Sequence, residues 1–168
     1  GSTQQNRTIS VSQNLTLTAN FTAITYSINL TANSGGSVSG AGTYQQGSQV
    51  NLTATPNTGY VFSSWSDGST EQSRTISVTQ NLTLTANFVS ITYTLTVSSG
   101  TGGSVTSSSL SSIATTGGTY NYGSQVSLYA SPNTGYTFSS WSDGSTQQSR
   151  TISMSQNTTI TANFTAIT

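Results

Sequence analysis

The sequence predicts an all-β chain of small modules in tandem, and three observations carry that expectation. The run GYVFSSWSDGSTEQSRTISVTQNLTLTANF at 59–88 returns as GYTFSSWSDGSTQQSRTISMSQNTTITANF at 135–164, and a shortened copy, STQQNRTISVSQNLTLTANF, opens the chain at 2–21. Within each copy apolar and polar residues alternate with a period of two, as a half-buried strand requires. No segment carries a convincing apolar stripe at 3.6-residue spacing, so helices are not expected.

The spacing of landmarks sets the unit. Arg7 recurs as Arg74 and Tyr26 as Tyr93, 67 residues apart, whereas Tyr44 recurs as Tyr120 and Trp65 as Trp141, 76 apart. The difference places a nine-residue Ser/Thr/Gly-rich insertion near residues 105–117, where a surface loop lengthens at little entropic cost. The expected organisation is a partial repeat over 1–24, module 1 over 25–91 and module 2 over 92–168. Repetition favours length, multivalency or a repeated surface over one asymmetric pocket.

The elements of module 1 read in order. Ile28, Leu30 and Ala32 share one face of an opening strand, and Val50, Leu52 and Ala54 share one face of a later strand. Pro56-Asn57-Thr58-Gly59 ends that later strand as a turn, because proline removes a ladder donor and glycine accepts positive φ. Tyr60 and Phe62 start the next strand, but Trp65 breaks their parity. A bulge or strand end that re-aims the indole inward is favoured, since so small a unit needs its largest side chain in the core. Asp67-Gly68 is a turn signal. Across it Asp67 and Arg74 form the expected ion pair, echoed by Asp143 and Arg150. Such a pair positions a loop more than it stabilises the fold. Ile76 and Val78, a short turn at Gln80-Asn81, and Leu82, Leu84, Ala86 and Phe88 then predict a half-buried β-hairpin. The opening segment holds only this last hairpin; a lone hairpin is marginal in water. It is therefore expected either to pack against module 1 or to fray.

Composition excludes several functions. Three basic and three acidic residues give no net charge, so no basic surface exists for nucleic acid. Abundant Thr, eight Tyr, five Phe and two Trp argue for folding over disorder. No apolar run is long enough to span a bilayer as a helix. Gly1-Ser2 reads as an expression remnant, and no signal peptide opens the chain. Cysteine, histidine and lysine are all absent, which removes disulfides, the commonest transition-metal ligands and Lys–Asn staples. The scattered acids cannot build a calcium cage. No cofactor or metal is expected.

The pattern Gly35-Gly36-Ser37-Val38, Gly42-Thr43-Tyr44, Val50 to Ala54, Pro56, Gly59-Tyr60, Phe62, Trp65-Ser66-Asp67-Gly68 and Leu84 to Phe88 resembles the bacterial divergent internalin B-repeat family. It is also similar to the wider group of Listeria–Bacteroides surface repeats. Module 2 carries the same pattern through Gly102 to Val105, Pro132, Gly135-Tyr136, Phe138, Trp141 to Gly144 and Ala162-Asn163-Phe164. The resemblance implies a β-grasp-like module, in a secreted or wall-attached bacterial protein, often an adhesin, without shared catalytic residues. Alternation alone allows a compact sandwich equally well.

No enzyme is expected. A Ser-His-acid arrangement needs the missing histidine. Asp67 and Glu71 could pair as a glycosidase dyad, but Gln147 stands where Glu71 stood. Tyr44, Tyr60, Trp65, Tyr120, Tyr122, Tyr136 and Trp141 are the candidates for stacking on sugars, against a simpler role as core filling. Short outward threonine rows such as Thr83-Thr85 are ordinary for a strand. Eight N-x-S/T sequons occur, many of them expected from composition alone. The leading expectation is a cell-surface or secreted stalk segment whose partners are the neighbouring repeats. The alternative is a repeated module binding host or environmental glycans.

Overall fold

The computed structural model describes residues 5–107 and 117–168. Each module is seven strands and, among the described residues, no helix. Module 1 runs β1 (Thr25–Ala32), β2 (Gly36–Ser39), β3 (Gly42–Gln45), β4 (Gln49–Pro56), β5 (Tyr60–Trp65), β6 (Ser73–Ser77) and β7 (Leu82–Ser90). Module 2 repeats them as β8 (Thr92–Ser99), β9 (Gly103–Ser107), β10 (Gly118–Asn121), β11 (Gln125–Pro132), β12 (Tyr136–Trp141), β13 (Ser149–Ser153) and β14 (Thr158–Ala166).

The strands divide into two sheets per module. A four-stranded sheet has the order β3-β1-β7-β5, and a three-stranded sheet the order β2-β4-β6; module 2 has the same two as β10-β8-β14-β12 and β13-β11-β9. Within each module all pairings are antiparallel except one. β1 lies parallel to β7, with Ile28 opposite Leu82, Leu30 opposite Leu84 and Ala32 opposite Ala86. First and last strands of the module are thereby neighbours at the centre of one sheet. Inward residues of both sheets build a separate core in each module. In module 1 it comprises Ile28, Val50, Leu52, Ala54, Trp65, Val78, Leu84, Ala86 and Phe88. In module 2 it includes Leu95, Val126, Leu128, Trp141, Met154 and Ile160. Burying one such leucine or isoleucine contributes about 1.5–3 kcal/mol. Among the described residues each module is thus all-β, a mixed four-stranded sheet packed on a three-stranded one with no helix.

The hairpin expected over 76–88 does not form. β6 pairs with β4, from Gln49 opposite Ser77 to Thr53 opposite Ser73, while β7 pairs with β1 and β5. The Val78–Asn81 connection turns the corner between the sheets. Asn81 secures it, its Oδ1 accepting from the Ser27 N–H of β1 at 2.8 Å. Alternation identifies inward residues but not which sheet they face, so two consecutive strands on one core mimic a hairpin.

A bulge does re-aim Trp65. Phe62 pairs with Phe88 and Ser64 with Asn87, so one residue of β5 is unmatched between them. The same shift falls between Phe138 and Ser140 in β12. Residues 108–116, the bulk of the expected insertion, lie outside the described residues, as do 1–4. Its described beginning, 105–107, is the end of β9, with Val105 in the core.

Residues 5–24 form no strand. Val11, Leu15, Leu17 and Phe21 stand exposed, although their counterparts Val78, Leu84 and Phe88 are buried and Leu82 is half-buried. Of the two expectations for this segment, packing on module 1 is not what is seen.

Candidate functional site

The GY-x-F-x-x-W-x-DG run and the strand after it assemble one repeated cluster. The β5 bulge brings Phe62 and Trp65 to the same side, with ring centroids 5.7 Å apart, and Phe62 meets Phe88 edge-on at 5.8 Å. Module 2 reproduces both contacts at 5.6 and 6.0 Å. Trp65 and Trp141 are each only 1% exposed, so neither presents a face to solvent. A buried indole N–H needs an acceptor. Trp65 Nε1 donates to the main-chain carbonyl of Glu71 at 2.9 Å, and Trp141 Nε1 to that of Gln147 at 2.8 Å. The acceptor is backbone, which explains why glutamate and glutamine are interchangeable here.

Arg74 closes the cluster. Its guanidinium carbon stands 5.6 Å from the Trp65 ring centroid, and Arg150 stands 5.7 Å from that of Trp141. Arg74 Nη2 donates to Asp67 Oδ2, and Arg150 Nη1 to Asp143 Oδ1 at 2.7 Å. The Arg74 Nε is buried without a hydrogen-bond partner. Each aspartate also accepts from the backbone of its turn, Asp67 from Ser69 N–H and Asp143 from Ser145 N–H, both at 3.2 Å. The hydrogen bond from Arg74 holds the Asp67 carboxyl below its ordinary range, with the Ser69 N–H and the arginine charge adding to it. Arg150 does the same for Asp143. Indole, arginine and carboxylate thus form a stack that ties the β5–β6 turn to the core. Among the described residues it is the place in each module where charge, aromatic surface and a fixed turn converge.

The other aromatic candidates are dispersed. Tyr44 and Tyr120 are half-buried on the edge strands, opposite Tyr26 and Tyr93. The Tyr44 hydroxyl donates to the Gly40 carbonyl at 3.1 Å. Tyr60 is half-buried against Gly35, and Tyr136 lies across Gly102 with more of its ring exposed. Tyr122 is exposed where module 1 has Gln46. Sequence reasoning missed Tyr129, an exposed ring on β11 where module 1 has Thr53, whose hydroxyl accepts from Gln148 Nε2 at 3.2 Å. Its odd position along β11 marked it as outward-facing. The structure brings none of these tyrosines together with the tryptophans into one exposed platform.

Outward polar residues mostly satisfy one another. Thr31 and Thr85 hydroxyls meet at 2.7 Å, Ser98 and Thr161 at 2.7 Å, and Thr75 donates to Asn51 at 2.6 Å. Such cross-strand pairs do the work that ion pairs do on more charged sheets. A shallow depression along β4 and β6 is lined by Asn51, Leu52, Thr53, Ser73, Arg74 and Thr75. Among the described residues no group of three His, Cys, Asp or Glu side chains could hold a metal. No described helix is long and apolar enough to cross a membrane.

The fold and the repeated stack define a tandem pair of all-β repeat modules. The family model of the divergent InlB B-repeat domain matches residues 26–92 and 93–168. The chain belongs to that family. Comparison with curated proteins finds no match.

Proposed function

We propose that this chain is a non-catalytic spacer segment of a bacterial surface or secreted adhesin, its modules in series holding a distal functional domain away from the cell. The observation that carries this reading is the parallel pairing of β1 with β7. Because the first and last strands run in the same direction side by side, the chain enters a module at one end and leaves at the other. A pull on the two ends then loads the whole β1–β7 ladder in shear, so its hydrogen bonds must fail together. Antiparallel terminal strands would open one bond at a time. Module 2 carries the same ladder between β8 and β14.

The alternative, a repeated carbohydrate-binding module, needs an exposed aromatic at equivalent places in both modules. The tryptophans are buried in both, and the exposed Tyr122 and Tyr129 have Gln46 and Thr53 as counterparts. These features favour the spacer.

Single-molecule pulling between the termini tests it. Two unfolding events are expected, each releasing roughly 200 Å of chain at about 3.3–3.6 Å per residue, the longer step belonging to module 2. Unfolding without discrete force peaks would overturn the spacer reading. So would a glycan array on which the folded chain binds specifically and Tyr129→Ala does not.

A further inference from the structure

The two modules are joined through a single residue. The Ile91 N–H donates to the Gly59 carbonyl of module 1 at 2.7 Å, and the Ile91 carbonyl accepts from the Tyr122 N–H of module 2 at 2.8 Å. One residue's two backbone groups are thus divided between neighbours, leaving no slack between Ser90, the last residue of β7, and Thr92, the first of β8. Ser90 Oγ adds a hydrogen bond to Asn121 Oδ1 at 3.3 Å. The Tyr122 ring then covers Gly59: a Cβ on that glycine would stand 3.0 Å from Tyr122 Cδ1. Gly59 has φ +83°, a conformation side-chain-bearing residues rarely adopt. The glycine therefore serves both the turn and the approach of the ring.

Half of the same joint occurs twice more. The Ile167 N–H donates to the Gly135 carbonyl at 2.9 Å, and the Ile24 carbonyl accepts from the Gln46 N–H at 2.9 Å. The connector residues are identical at these places, Phe-Thr-Ala-Ile-Thr at 21–25 and at 164–168. Gly135 has the same φ as Gly59, +83°, yet nothing lies within 4 Å of where its Cβ would be.

We propose that the glycine–isoleucine end of each module is a docking surface for the leading turn of another module joined to it in series, and that the residue at the position of Tyr122 decides whether the joint is locked. A tyrosine there lays a ring over the glycine. A glutamine, as at Gln46, leaves the joint to backbone hydrogen bonds alone. Gly135 and Ile167 form an uncovered copy of this surface and fit the leading turn of a module that carries tyrosine at that position. Association in trans is disfavoured, because the Gln46 N–H that a second copy would offer is already taken by its own Ile24.

The chain has no cysteine, so spin labels at Thr83→Cys and Thr159→Cys, both on outer faces, report the distance between modules in the full-length chain. The parent is expected to give one narrow distribution. Tyr122→Gln should broaden it at least two-fold, whereas Tyr122→Phe should keep it narrow, with circular dichroism unchanged in both. Equal widths for the parent and Tyr122→Gln, or a broad parent, would refute the lock. A third module, residues 93–168 appended after Thr168, extends the test to Gly135. Labels in its second and third modules should give a narrow distribution with tyrosine at the leading turn and a broad one with glutamine. Indifference to that residue would refute the docking surface. The inference rests on the spacer reading for its use, but the two fail separately, since glycan binding would overturn the spacer and leave the distance distributions untouched.

Discussion

Arg74 lies across the face of Trp65, its guanidinium carbon 5.6 Å from the ring centroid, while its Nη2 reaches out to Asp67. The arginine therefore joins the most deeply buried ring of the module to an exposed turn. Two interactions meet in it, and both are modest. A cation–π contact contributes about 0.5–2 kcal/mol, and an exposed ion pair about 0–1 kcal/mol. The buried indole itself is worth more, because its loss leaves a cavity.

Substitutions in the stack should follow that ranking. Trp65→Ala is expected to cost about 3–5 kcal/mol, enough to unfold module 1 while module 2, with its own core, stays folded. Arg74→Ala should cost about 1–2 kcal/mol. Arg74→Lys should recover only part, because a compact ammonium lacks the flat fork that spans ring and carboxylate. Urea titrations followed by tryptophan fluorescence separate the modules, since Trp141 reports module 2 alone in the Trp65→Ala chain.

Acid should weaken both modules slightly, in a defined range. The carboxyls of Asp67 and Asp143 are held below their ordinary value of 3.8 by their arginines. A depressed folded-state value means the unfolded state binds protons first as pH falls. The contribution is therefore complete above about pH 4 and disappears as pH drops through the folded-state values. Both carboxylates are exposed, so screening holds the effect to about 1 kcal/mol or less per pair, smaller still in high salt. Thermal melts between pH 2 and 6 should show this dependence, and Asp67→Asn with Asp143→Asn should flatten it. An unchanged slope in the double variant would assign the acid sensitivity elsewhere.

The two modules should differ under load. Beyond Ala32 the β1–β7 ladder is continued by Asn33, whose Nδ2 donates to the Phe88 carbonyl at 2.9 Å and whose Oδ1 accepts from the Phe88 N–H at 3.2 Å. Module 2 has Gly100 at this place, which keeps only the main-chain bond to the Ala162 carbonyl at 2.8 Å. Module 1 is thus expected to unfold at the higher force in pulling experiments. Asn33→Gly should bring the two peaks together, and Gly100→Asn should raise the weaker one.

Much of this was legible in the residues, and what was not has a common cause. Period-two alternation identified Ile28, Val50, Leu52, Leu84 and Phe88 as inward-facing, and the broken parity at Trp65 pointed to the bulge between Phe62 and Ser64. The pairing of β6 and β7 was misread because their true partners are distant: β7 lies against β1, with Leu82 opposite Ile28. Local pattern carries no information about which of two sheets a strand joins. The role of Tyr122 was hidden for the same reason, since its ring rests on a glycine of the other module. Of the stack, the Asp67–Arg74 pair followed from proximity across a turn, but the stacking of Arg74 on Trp65 required the bulge to be placed first.

The opening segment shows how far local sequence falls short of specifying structure. Residues 7–21 read RTISVSQNLTLTANF and residues 74–88 read RTISVTQNLTLTANF, differing at one position. The first is strandless with Phe21 95% exposed, and the second forms β6 and β7 with Phe88 4% exposed. What differs is the company: β7 has β1 and β5 on either side, and β6 has β4. Propensity is the same in both, so non-local pairing and burial decide the outcome. Nor can the segment borrow the place of β7 in module 1. Parallel pairing would put Phe21 beyond the far end of β1, and the few residues between Phe21 and Thr25, spanning at most about 3.6 Å each, are too short to return. Phe21→Ala should therefore change stability by less than about 0.5 kcal/mol, while Phe88→Ala should cost about 3–5 kcal/mol. Paired urea titrations of the two variants test this directly. A substantial loss from Phe21→Ala would mean that the segment packs in solution.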